Sequence, residues 1–147
     1  MDDLPLASGC ADAALLVEVV EHLEAPERAL AELYRVLKPG GRLLVTTPNY
    51  GFPSLWPALE WLADRSGRTA KMAGEQHVRK FRPETLAAWL RAGGFAVARL
   101  GTFYQLSPWL ALAFPRWADA WVAREIAGGG RAGSLIYGLA VRPAAGS

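Results

Sequence analysis

Apolar runs alternate along the chain with links punctuated by proline and glycine, and the run lengths sort into strands and helices. Residues 12–20 (DAALLVEVV) form a nearly continuous apolar run rich in valine and leucine. Such a run suits a strand buried on both faces of a parallel sheet, although periodicity alone also admits a buried helical segment. Residues 26–37 follow a helical period, with Leu30, Leu33, Tyr34 and Leu37 on one face. Pro26 falls at the first helical position, where its missing N–H would be unpaired anyway. Pro39-Gly40-Gly41 is expected to stop this helix and turn the chain into a second buried strand, Arg42–Thr47. Strand, helix, strand with short links is a βαβ unit.

Pro48 and Asn49 close the second strand. Residues 52–63 carry Trp56 and Trp61 in an expected short helix, and residues 64–80 read as a polar loop. Pro83 opens a further helix with Leu86, Trp89 and Leu90 on one face, capped by Gly93-Gly94. Phe95–Phe103 reads as a third strand. Residues 108–126 read as an aromatic-rich helix that would break at Pro115. Residues 128–133 form a loop, Ser134–Val141 a last strand, and the tail from Arg142 is expected to be disordered. The order β-α-β-α-α-β-α-β predicts an α/β layered fold. In open α/β sheets, ligands bind at the carboxyl ends of the parallel strands, which points to residues 17–21, 47–50 and 103–105. Gly128-Gly129-Gly130-Arg131-Ala132-Gly133 fits G-x-G-x-x-G formally. It follows a helix and opens a strand, the reverse of the dinucleotide-binding context, and reads as a flexible link.

At 147 residues, 52% of them apolar, the chain is one domain or less with enough apolar content for a real core. The sixteen basic residues are scattered and the net charge is +2, which argues against a dedicated nucleic-acid binder. One cysteine, Cys10, excludes an internal disulfide framework and a cysteine metal cluster, and fits a reducing compartment. Met1-Asp2-Asp3 lacks the basic start and apolar run of a secretory signal. No uninterrupted apolar stretch reaches the roughly eighteen residues a membrane span needs. The expected location is cytoplasmic, with any membrane association peripheral.

Several motifs then fall into one register. They are Leu4-Pro5-Leu6; Asp12; Glu18-Val19-Val20-Glu21-His22-Leu23; Arg35-Val36-Leu37-Lys38-Pro39-Gly40-Gly41; and Thr47-Pro48-Asn49. Together they resemble the class I S-adenosylmethionine-dependent methyltransferases, in particular the ubiquinone O-methyltransferase-like, methyltransferase type 11 members. Gln76-His77-Val78-Arg79-Lys80-Phe81 and Ala92-Gly93-Gly94-Phe95 extend the resemblance over residues 4–103. Ala11 departs from it, standing where the family usually has phenylalanine.

The resemblance implies a Rossmann-like class I methyltransferase fold with an incomplete sheet, containing the equivalents of strands 4 to 7. Residues 104–133 would be an aromatic-rich insertion, 134–141 the last strand and 142–147 a tail. The family opens with a strand, a glycine-rich loop and a helix that hold the methionine end of the cofactor, and an acidic residue then takes the ribose hydroxyls. Here the chain starts just before the fourth strand. The family's adenine-contacting aspartate would lie one residue upstream of Met1, with Asp2 and Asp3 close but out of register. S-adenosylmethionine is the implied cofactor, and methyl transfer to a small molecule the implied activity. The fragment alone is expected to be inactive and marginally soluble. Two alternatives stand beside this. A second chain could complete the sheet at the edge of the first strand, or a non-catalytic scaffold could bind a protein partner or a membrane surface.

The candidate residues each carry a bland reading as well. Val17 and Glu18, at the end of the first strand, lie against the cofactor by resemblance; otherwise Val17 is core. Glu18, Glu21 and His22 form E-x-x-E-H, two carboxylates and an imidazole that by resemblance could hold Mg²⁺. A hard cation prefers oxygen, so the same residues could instead shape the strand-to-helix turn. His22 and His77 are the candidate bases for an oxygen nucleophile, and His77 could equally bond a loop carbonyl. Phe114, Trp117 and Trp121 share a helical face near Trp109. Apolar stripes usually pack into a core, and that is the expected reading. The alternative is an apolar lid for a lipophilic substrate or a membrane surface.

Overall fold

A computed structural model of the chain describes residues 3–51, 78–105, 110, 113–130 and 132–144. The expected helix at 52–63, most of the loop after it, and Trp56, Trp61, His77 and Trp109 lie outside the described residues.

The described chain runs β1 (Ala11–Val17), a 3-10 turn (Val20–His22), α1 (Pro26–Val36), β2 (Leu37–Pro48), α2 (Pro83–Ala92), β3 (Ala96–Phe103), a second 3-10 turn (Pro115–Trp117), α3 (Ala118–Ala127) and β4 (Leu135–Val141). The strands form one sheet in the order β1-β2-β4-β3. β1 and β2 are parallel, and β4 is antiparallel to both β2 and β3. Three strands therefore point one way and β4 runs back between two of them. This is the expected α/β class, with the helices packed on a mixed sheet.

Strand side chains alternate between faces, so the pairing register divides the sheet. One face carries Leu16, Leu43, Val45, Ile136 and Ala140, all buried, and receives the apolar stripes of α1 and α2. Leu30 and Leu33 from α1 and Leu86 and Leu90 from α2 complete this core. Close approach needs glycine at two places. A Cβ on Gly93 would stand 2.2 Å from the Leu30 Cδ2, and one on Gly138 would stand 3.1 Å from the Leu90 Cδ1. The helix α2 ends as a Schellman turn. Gly94 takes φ +85°, its N–H donates to the Arg91 carbonyl, and the Phe95 N–H donates to the Leu90 carbonyl.

The opposite face is dressed unevenly. Over β3 and β4 it carries α3: the Arg99 Nη2 and the Tyr137 hydroxyl both donate to the Ile126 carbonyl near the end of that helix. Over β1 no described helix covers it, and Leu15 and Val17 are 69% and 53% exposed. This corrects the expectation that the first strand is buried on both faces. Within β1 only Leu16 is buried.

Three boundaries also move. β1 ends at Val17 rather than Val20, because Glu18 adopts φ +50° and swings Val20 into the core as part of a 3-10 turn. β2 begins at Leu37, so Pro39-Gly40-Gly41 is not a turn. The segment is a bulge within the strand: Gly40 takes φ +80°, and between the pairs Ala11↔Leu37 and Ala13↔Arg42, β2 holds more residues than β1. The Gly40 N–H donates to the Arg142 carbonyl, and the Arg142 N–H donates to the Gly41 carbonyl.

The tail, third, is tied down at its start. The Arg142 Nη1 donates to the Tyr34, Arg35 and Leu37 carbonyls at the end of α1, and its guanidinium lies 4.6 Å from the Tyr34 ring centroid. These are carbonyls that a helix end leaves without intrahelical partners. At the other end of the chain, Arg35 clamps residues 4–9 to α1. It donates to the Glu32 carboxylate and to the Leu4 and Leu6 carbonyls.

Candidate functional site

β1, β2 and β3 point the same way, so their carboxyl ends lie along one rim of the sheet. The residues that leave those ends are Glu18, Asn49 and Tyr104. The preceding turns are not generic. Among the described residues, only Glu18 (φ +50°) and Tyr104 (φ +61°) are non-glycine residues in the left-handed region. Both directly follow a strand of the parallel set. Such conformations cost of order 1–3 kcal/mol and cluster where a site is held against its local preference.

Each turn is fastened to its neighbour strand. The Glu18 N–H donates to the Thr46 carbonyl, and the Thr46 hydroxyl donates to the Glu18 carboxylate at 2.9 Å. The Thr47 hydroxyl donates to the Glu21 carboxylate at 3.1 Å. Thr46 and Thr47 are consecutive in β2, so their side chains leave opposite faces of the sheet. Glu18 and Glu21 are therefore drawn to opposite faces. His22 follows on the 3-10 turn and is exposed.

The rim continues through backbone bonds. The Arg79 N–H donates to the Glu21 carbonyl, and the Tyr50 N–H to the Phe81 carbonyl, so residues 79–81 bridge the turn after β1 and the end of β2. The Asn49 Nδ2 donates to the Gly133 carbonyl at 2.8 Å, and its Oδ1 accepts the Gly51 N–H. The Ser134 N–H and hydroxyl donate to the Tyr104 carbonyl. The glycine-rich link at 128–133 is anchored too: the Thr102 N–H and hydroxyl both donate to the Gly130 carbonyl. It lies between α3 and β4, so it follows a helix and precedes a strand.

The fate of the sequence candidates follows. Val17 stands at the end of β1 with its side chain on the uncovered face, available to a ligand rather than in the core. Glu18 sits beside it, half-buried on Thr46. Glu21 is 1% exposed, and its carboxylate faces Thr47 inside the fold. The set Glu18, Glu21 and His22 is not brought together. Among the described residues no group of three or more His, Cys, Asp or Glu side chains is placed to share a metal ion. His77 lies outside the described residues. Phe114, Trp117 and Trp121 are exposed at 58%, 61% and 39%, so they do not pack the core as their spacing led one to expect. The second 3-10 turn and α3 contain no buried residue.

The sequence reading missed Thr46, Thr47 and Asn49 as the residues that hold the rim. A weak signal was present. Three hydrogen-bonding residues within four positions, Thr46, Thr47 and Asn49, at the end of an apolar strand are what a rim of polar side-chain ties needs.

With this geometry in hand, the comparisons with known proteins are specific. A family described as a methyltransferase domain matches residues 4–100. The demethylmenaquinone methyltransferase of Symbiobacterium thermophilum is 28% identical over 121 residues, covering 71% of this chain and 47% of that protein. The ubiquinone biosynthesis O-methyltransferase of Xanthomonas oryzae is 34% identical over 88 residues, covering 57% of this chain and 35% of that protein. The chain thus spans less than half the length of these curated relatives. Among solved structures, a SAM-dependent methyltransferase of Thermotoga maritima superposes with a TM-score of 0.60 at 24% identity, over 96% of this chain and 60% of that one. One from Mesorhizobium loti gives 0.59 at 19% identity, over 96% and 66%. These structural likenesses show the Rossmann-like class I fold.

Proposed function

We propose a function from one established premise: the chain belongs to the methyltransferase domain family. It forms the carboxyl-terminal part of an S-adenosylmethionine-dependent enzyme that methylates a small molecule. The observation that carries this reading is the rim where β1 ends. There Val17 offers an exposed apolar side chain and Glu18 is locked beside it in a left-handed turn. A flat apolar surface next to a fixed carboxylate fits one edge of a nucleoside-bearing cofactor. When bound, that cofactor supplies the transferable methyl group. The chain's own part is alignment, since an in-line displacement gains most from holding two reactants in one geometry.

His22 is exposed on the turn that follows Glu18. For an oxygen nucleophile it would accept the acceptor's proton, and His77 is the second candidate for that role. A Mg²⁺ ion on Glu18, Glu21 and His22 forms no part of this proposal, because the two carboxylates are directed to opposite faces.

The face and edge of β1 that no described element covers support a second element of the proposal. A further strand and helix, whether from the same polypeptide or a second chain, pair with β1 and cover Leu15 and Val17. Titration calorimetry tests both elements. This chain alone should bind S-adenosylmethionine more weakly than about 1 mM. Addition of the complementary α/β unit should bring affinity into the micromolar range and reduce the exposure of β1 amides to hydrogen exchange. Micromolar binding by the lone monomer would overturn the need for a second unit. An assembled sheet with no affinity would overturn the cofactor reading and favour a non-catalytic scaffold.

A further inference from the structure

The helix α3 touches the sheet through one face and leaves an aromatic one open. Ala118, Val122, Glu125 and Ile126, spaced by four, three and one residues, are its half-buried positions. Trp117 and Trp121 lie four residues apart on a different face, preceded by Phe114 and followed by Arg124 at the next helical step. All four side chains are exposed. Arg124 lies in the stripe itself, and Arg116 directly precedes Trp117, flanking it on the side that Asp119 shares. Arg116 and Arg124 are exposed, and neither forms an ion pair with a described residue. Asp119 falls two residues before Trp121, further round the helix from the stripe than Arg116. The Glu125 carboxylate is turned inward to accept the Gln105 N–H.

We infer that this stripe is a contact for an anionic phospholipid surface. Phe114, Trp117 and Trp121 would enter the headgroup layer, with Arg116 and Arg124 reaching lipid phosphates. Indole rings combine a large apolar area with one N–H donor, which suits the boundary between acyl chains and water. Arginine stems lie along apolar surface while the guanidinium stays with phosphate. An acid-free aromatic and basic stripe on an exposed helix is the pattern of an interfacial contact. No described helix is long and apolar enough to cross a membrane, so the contact lies at the surface. This inference does not depend on methyl transfer.

Sedimentation with vesicles tests it on the chain as it stands. One set of vesicles is phosphatidylcholine alone, and the other is an equal mixture with phosphatidylglycerol. The chain should sediment with the mixed vesicles and less with phosphatidylcholine alone, and high salt should weaken the preference. W117A/W121A should reduce partitioning by about tenfold or more, with an unchanged melting temperature because both side chains are exposed. R116Q/R124Q should abolish the preference for the anionic vesicles. Leu15→Lys, which alters the other exposed apolar surface, should leave partitioning unchanged. The inference is overturned if the chain stays in the supernatant, or if W117A/W121A sediments like the parent. It is also overturned if Leu15→Lys removes binding, or if light scattering shows a dimer that W117A/W121A dissolves, since a second copy would then occupy the stripe.

Discussion

Ile136 and Leu15 are both branched aliphatic residues within strands of one sheet, yet Ile136 is fully buried and Leu15 is 69% exposed. The difference lies in what covers each end of the sheet. β4 is hydrogen-bonded on both edges, and the β3–β4 side has α2 on one face and α3 on the other. Among the described residues, β1 has a strand on one edge and helical cover on one face. An apolar strand states how much surface has to be covered; it does not state what covers it. The β3–β4 side is covered on both faces by described helices, and the β1 side on one.

That contrast can be broken or sharpened by substitution. The largest effect is expected at Ile136→Ala, which empties a site packed on all sides: about 2–5 kcal/mol lost in urea denaturation. A loss under about 1 kcal/mol would mean that the β3–β4 side is not tightly packed. Next comes Glu21→Ala. It leaves the buried Thr47 hydroxyl without its acceptor and should cost about 1–3 kcal/mol. Glu18→Ala, on the less covered face, should cost less than Glu21→Ala in the same assay, and the reverse order would contradict the assignment of faces.

A smaller effect appears in acid. The Arg35 guanidinium, helped by the Leu4 N–H, holds the Glu32 carboxyl down at about 2 against its ordinary 4.5. A depressed acid contributes stability that is present above its ordinary value and lost as pH falls through its folded value. The N-terminal clamp should therefore weaken between about pH 4.5 and pH 2. Melting curves of the parent and Glu32→Gln should converge across that window. Because the pair is solvent-accessible, salt should shrink the gap. The smallest effect is Leu15→Ala, expected within about 0.5 kcal/mol for this chain alone. With β1 covered by a complementary unit, the same substitution should become clearly destabilising. A change from neutral to costly on assembly is the sharpest sign that β1 is an interface strand.

Much of the fold was legible in the sequence because it follows from local chemistry. Pro26 and Pro83 fix two helix starts, Gly93-Gly94 fixes one helix end, and the apolar runs locate the strands. The misreadings occurred where a distant partner decides. Pro39-Gly40-Gly41 has the composition of a turn, but Arg142, a hundred residues on, pairs with it and extends β2. The C-terminal tail looks disordered by composition, but it begins with an arginine that caps α1. Trp117 and Trp121 have the spacing of a core stripe, and spacing cannot tell which side of a helix meets the sheet. The candidate site divides in the same way. Val17 and Glu18 were placed at the strand end by register, whereas the ties of Glu18 to Thr46 and of Glu21 to Thr47 needed the strands aligned.

What the sequence determined by itself was the class of fold and the family. Those depend on residue type, order and spacing, which a chain carries without folding. What only the tertiary structure decided was which faces are covered and which groups meet. Glu18 and Glu21 are three residues apart in E-x-x-E-H, close enough to be read as one metal site. The twofold alternation of β2 sends their hydroxyl partners, Thr46 and Thr47, to opposite faces of the sheet, and the two carboxylates follow.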